Sequence, residues 1–135
     1  MKVAFGVLAR YAEVDEDSGL INVTGGGVDV FGVTRLPLEL YTRFVLQLRY
    51  PESEAGQLRR VTMQVRDPQL KIIGEAAAFE ITPTLGQYHA SGWQGIFAVA
   101  GTARLMADSP GVHSLEFRID GNLAGDIPYH VVEAP

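Results

Sequence analysis

Apolar and polar residues alternate along much of this chain. In Arg43-Phe44-Val45-Leu46-Gln47-Leu48-Arg49-Tyr50, the set Phe44, Leu46, Leu48 and Tyr50 shares one face, while Arg43, Gln47 and Arg49 lie on the other. Val61, Met63 and Val65 alternate with Arg60, Thr62, Gln64 and Arg66. Leu115, Phe117 and Ile119 alternate with Ser114, Glu116, Arg118 and Asp120. Successive side chains of a strand project to opposite faces, so a period of two describes a half-buried strand. On a helix the same positions would scatter apolar groups around the axis.

Turn chemistry separates these runs. Asp17-Ser18-Gly19 divides a first strand, near residues 2–14, from a second, near 20–33. The short polar segment 51–56 predicts a hairpin between the Tyr50 strand and the Val61 strand. Asp67-Pro68 ends the latter, because proline supplies no ladder donor. Ser109-Pro110-Gly111 and Asp120-Gly121-Asn122 bracket the Phe117 strand, and Asp-Gly favours the positive φ of tight turns. A last strand is expected near 127–133, with Pro128 at its start or on an edge. Within 70–81, Glu75-Ala76-Ala77-Ala78-Phe79 has helix-forming composition, but Gly74 and the flanking β-branched residues favour a strand, the expectation adopted. Residues 93–105 predict another strand, opening at a packing residue, Trp93, with Gly95 and Gly101 marking close approach or a bulge. Its apolar residues occupy both faces, Phe97 and Val99 against Ile96 and Ala98. That predicts a strand covered twice, by the other sheet and by a loop or neighbouring subunit.

Seven or eight strands with short connections predict an all-β fold in one domain spanning residues 1–135. The expected form is a two-sheet antiparallel β-sandwich, immunoglobulin-like or jelly-roll-like, with a closed barrel as the alternative. A chain of 135 residues is long enough for one substantial core. At 47% hydrophobic and 20% charged residues it is neither a disordered tail nor a fibre. The absence of cysteine excludes a disulfide scaffold, a thiolate zinc site and a cysteine nucleophile. The longest uncharged stretch, 81–103, contains Pro83, Gln87, His89, Gln94 and four glycines, which unsuits it to a bilayer. No basic leader followed by an apolar segment opens the chain, so a cytoplasmic location is expected.

Two stretches carry a resemblance. One is Leu20-Ile21-Asn22-Val23-Thr24-Gly25-Gly26-Gly27, preceded by a strand and an acidic turn. The other is Pro110-Gly111-Val112-His113-Ser114-Leu115-Glu116-Phe117-Arg118-Ile119-Asp120-Gly121, followed by a final strand. In order and spacing the chain resembles a family of short uncharacterised bacterial proteins, a domain-of-unknown-function group with a predicted β-sandwich fold. That resemblance implies a fold and a bacterial origin, and supplies no catalytic residue. His113 stands where an aromatic residue often follows the Pro-Gly turn.

No motif commits the chain to a chemistry. Gly25 to Gly27 precede a strand pattern, Val28-Asp29-Val30-Phe31, and lack the helix and Gly-Lys-Ser/Thr of a phosphate loop, so they predict a bulge or crossover. Glu13, Asp15, Glu16 and Asp17 hold only the first fragment of a calcium loop and are expected to be solvated hairpin charges. His113 and His130 fall in strands expected to pair around Asp120-Gly121, where they could meet as a weak metal or hydrolytic site. Ser91 near His89 makes no triad, and no nucleophile elbow occurs.

Charge is unevenly spread. The net charge of −5 divides into −3 over residues 1–34, +3 over 35–71 and −5 over 72–135. Arg43, Arg49, Arg59, Arg60 and Arg66 dominate the positive part, and nine arginines against two lysines suit protein interfaces. An acidic chain without stacking aromatics among its arginines is not expected to bind nucleic acid. The first expectation is therefore a non-enzymatic protein without cofactor or metal. It would act through protein–protein contact as a homodimer or part of an assembly, with no membrane partner. The alternatives are a small-molecule binder with an apolar inter-sheet pocket around Trp93, Phe97 and Phe117, and a hydrolase with a site near His113 and His130.

Overall fold

The structure, a computed structural model, describes residues 1–134. Nine strands form among them: β1 (Lys2–Val14), β2 (Ile21–Gly26), β3 (Val30–Val33), β4 (Leu38–Tyr50), β5 (Arg59–Arg66), β6 (Ile72–Ile81), β7 (Gly95–Ala107), β8 (Gly111–Ile119) and β9 (Asn122–Glu133). They make a four-stranded sheet, β2-β1-β4-β7, and a five-stranded sheet, β3-β9-β8-β5-β6. The fold is all-β in two sheets. Their apolar faces supply one core, in which Leu8, Phe44 and Leu46 of the first sheet pack with Met63, Leu115 and Phe117 of the second.

The alternating runs become strands, and the competition within 70–81 resolves as β6. A helix there would have left the outer side of β5 unpaired, whereas β6 pairs from Arg59↔Ile81 to Arg66↔Ile72. Four expectations are corrected. The strand expected over 20–33 is split by Gly27-Val28-Asp29 into β2 and β3, raising the count to nine. Gly25 and Gly27 take positive φ (63° and 80°), and the N–H groups of Gly27 and Val28 both donate to Leu8 O (3.0 Å each). The chain thereby turns from one sheet to the other: of the bulge or crossover expected of the glycines, the structure has the crossover. Second, the pairing is not wholly antiparallel, because β3 runs parallel to β9.

Third, residues 51–56 make no hairpin. β4 pairs with β1 and β7, while β5 pairs with β6 and β8, so the segment crosses between sheets through a short 3-10 turn, Glu52–Glu54. Loop length and polarity are the same for a crossover as for a hairpin; the partners make the difference. The last strand starts earlier than expected, at Asn122, and Pro128 sits mid-strand. Its missing N–H is tolerated because β3 pairs with β9 only from His130 onward.

β1 pairs with β4 only as far as Ala9; beyond that it pairs with β2 alone. The free end of this hairpin curls across the outer face of the first sheet, where Ala12, Val14 and Ile21 pack with Val45 and Ala100. Arg43 Nη2 donates to Ala12 O (2.7 Å) and holds it there. The second cover expected for β7 is thus the chain's own hairpin over Ala100. Ile96, near the other end of the strand, stays 53% exposed.

Candidate functional site

Residues 82–94 connect β6 in one sheet to β7 in the other and carry no carboxylate, lysine or arginine. Long-range bonds hold the loop in place. The Tyr50 hydroxyl, on a fully buried ring, donates to Thr84 O (2.9 Å), and Gly56 N–H donates to Pro83 O (2.8 Å). Glu52 Oε1 accepts from Gly92 N–H (2.8 Å) and lies 2.8 Å from His89 Nε2. Two internal turns, His89 N–H to Gly86 O and Trp93 N–H to Ala90 O, complete the shape.

A loop tied at both ends and in the middle turns its two large aromatics outward: Tyr88 is 92% exposed and Trp93 72%. They border an open cleft of about 750 Å3 whose other walls include Ile96, Gln94 and the tip of the β1–β2 hairpin at Asp17 and Ser18. Trp93, Gln94 and Ile96 also line a second depression with Arg49. Arg49 pairs across the strands with Lys2, and both are exposed. Phe5, 49% exposed, lies one step further along β1 opposite Gln47. Trp93, Gln94 and Ile96 thus link Tyr88 and the acidic hairpin tip on one side to Arg49 and Lys2 on the other.

The residues proposed from sequence fall elsewhere. Trp93 stands outside the core and before β7 begins. Phe117 is fully buried, so Trp93, Phe97 and Phe117 do not line one pocket. His113 and His130 do not meet. In the β8–β9 register Val112 faces His130 and His113 faces Tyr129, so the two imidazoles project to opposite sides of the sheet. His113 is fully buried, stacks on Tyr129 (centroids 5.2 Å apart, planes at 21°) and takes the packing role of an aromatic. The five arginines divide between the sheets, Arg43 and Arg49 on β4 and Arg59, Arg60 and Arg66 on β5. Asp15 caps its own turn, accepting from Asp17 and Ser18 N–H (2.9 and 3.0 Å), and the Ser18 amide above all lowers its pKa. Among the described residues no group of three histidine, aspartate or glutamate side chains converges to hold a metal.

Sequence reasoning missed the Glu52–His89 clasp. Its partners are 37 residues apart, and no local pattern joins them. It also missed the Glu116 network: Glu116 is buried yet accepts from Arg66 Nε (2.6 Å) and Arg118 Nε (2.7 Å). The Arg66 bond, supported by Arg118, holds its carboxyl below the ordinary glutamate value of 4.5. A depressed folded pKa means that this stabilisation is complete above the unfolded value and is lost as pH falls through the folded one. Glu116→Gln is therefore expected to lower the urea midpoint at neutral pH, and the gap to the wild type should shrink on acidification. A gap that stayed constant across that range would remove the ionic contribution.

A family model described as "Family of unknown function (DUF6941)" matches residues 4–132. The chain belongs to that family. Both stretches that carry the resemblance lie inside the matched region, Leu20–Gly27 along β2 and Pro110–Gly121 along β8. No curated protein matches the chain. Among solved structures it is similar, at 19% identity and a TM-score of 0.39, to part of the Pseudomonas fluorescens alkylpurine DNA glycosylase AlkC bound to DNA containing an abasic site analog. The match covers 76% of this chain and 27% of that one.

Proposed function

We propose that this family member is a β-sandwich of immunoglobulin-like strand order that works through protein–protein contact, with no catalytic step or cofactor of its own. The shared core of the two sheets supports a sandwich. The succession β6-β5-β8-β9 supports the immunoglobulin-like form, since it follows the order of the C′, C, F and G strands of variable-type domains.

The observation that carries the function is the exposure of Tyr88 and Trp93 on a clasped loop. Tyrosine and tryptophan are enriched where binding energy concentrates, because they offer large contact area for few rotatable bonds. Fixing the loop beforehand lowers the ordering entropy lost on association. A small-molecule ligand in the adjoining 750 Å3 cleft is the second reading, favoured by the Gln87 and Gln94 side chains beside the rings.

The test is a photo-crosslinking side chain, Tyr88→p-benzoylphenylalanine, in the native host. A polypeptide adduct of discrete mass is expected, weakened by Trp93→Ala and missing when the same probe replaces Leu70, which is 71% exposed away from the loop. Equal labelling from both positions, or no polypeptide adduct at Tyr88, would defeat the proposal.

A further inference from the structure

We infer that the partner is a second copy of this chain, in a two-fold pair that seats each acidic hairpin tip on the other copy's Lys2–Arg49 patch. This rests on the protein-contact function proposed for the Trp93 surface and names its occupant. Lys2 and Arg49 are cross-strand neighbours on the uncovered end of the first sheet, and no carboxylate lines the depressions around them. Neither cation has an ion-pair partner among the described residues. Glu16 and Asp17, at the hairpin tip, are exposed and equally without ion pairs there. Asp15 beneath them is occupied in holding the turn, so the tip is shaped as well as charged.

The two charged groups border one strip. Trp93, Gln94 and Ile96 line the cleft shared with Asp17 and also the depression shared with Arg49. A two-fold axis through that strip exchanges the ends: each tip meets the opposite patch, and each strip faces its own counterpart. An isologous interface requires this self-complementary layout. Trp93 and Ile96 then lie near the axis, where desolvated anchors contribute most, with the ion pairs at the rim setting register. An unrelated acidic partner would use the patch but leave the tip facing water. A second copy satisfies both.

The test is a charge swap read by solution mass. The wild type is expected at twice the 14.7 kDa chain mass, more fully at low ionic strength, where the Debye length is about 30 Å at 0.01 M salt. Lys2→Glu with Arg49→Glu, and separately Glu16→Lys with Asp17→Lys, should each shift the protein toward single-chain mass. All four positions are exposed, and unchanged thermal midpoints would confirm that both variants fold. An equimolar mixture of the two should recover the double mass as a heterodimer, since every reversed patch then meets a reversed tip. Both reversals in one chain should restore self-pairing. A wild type of single-chain mass up to its solubility limit overturns the inference, as does a mixture that stays single. A single-mass wild type that still crosslinks through Tyr88 to another polypeptide sinks self-pairing alone; failure of that crosslink sinks the contact function beneath it.

Discussion

Phe117→Ala is expected to lower stability by about 3–5 kcal/mol, the largest effect of any single truncation proposed for this chain. Phe117 is fully buried on β8 and lies opposite Met63 of β5 in the register. It belongs to the cluster in which Phe44 and Leu46 enter from the first sheet, so its removal leaves a void between two sheets that are each held by their own ladders. Neighbouring backbone can collapse into such a void only by breaking hydrogen bonds, which puts the site toward the costly end of the range. Urea denaturation measures the loss. A value below about 1 kcal/mol would place Phe117 outside the shared core.

Gly95→Ala should destabilise by about 1–3 kcal/mol through overpacking, and should also loosen the aromatic loop. Gly95 opens β7 directly opposite Tyr50, and a methyl group there would overlap the buried Tyr50 ring. To make room the ring must shift, and with it the hydroxyl that donates to Thr84 O. Tyr50→Phe is the comparison: it removes only that hydrogen bond, at roughly 0.5–1.5 kcal/mol, and keeps the packing. The prediction fails if Gly95→Ala proves as mild as Tyr50→Phe. The substitution should also weaken the Tyr88 crosslink, because the loop would lose an anchor close to its first turn.

Both substitutions report on features of different legibility. Alternation with Glu116 and Arg118 marks Phe117 as buried, a pattern that needs no knowledge of the fold. Sequence marks Gly95 only as a place of close packing or a bulge; that the close neighbour is Tyr50 follows from β4 and β7 lying side by side. Trp93 shows the failure of local reasoning. As the opening residue of an apolar strand Trp93 is expected to pack, yet it stands 72% exposed on a loop that Glu52, far away in sequence, holds. His113 and His130 do lie in paired strands, as their spacing around Asp120-Gly121 predicts. A one-residue offset in the register then put them on opposite faces.

Residue order alone specifies most of the strands and the inward set Phe44, Leu46, Leu48, Val61, Met63, Val65, Leu115 and Phe117. The reason is that alternation acts between immediate neighbours: whichever strand lies alongside, the apolar face must leave water. Long-range packing, in contrast, decided that segment 51–56 crosses between sheets, that the β1–β2 hairpin folds back over Val45 and Ala100, and that Tyr88 and Trp93 face outward. Those outcomes depend on hydrogen bonds and burial between residues tens of positions apart, such as Glu52 with Gly92 and Tyr50 with Thr84, and nothing in a local window encodes which distant partner will win.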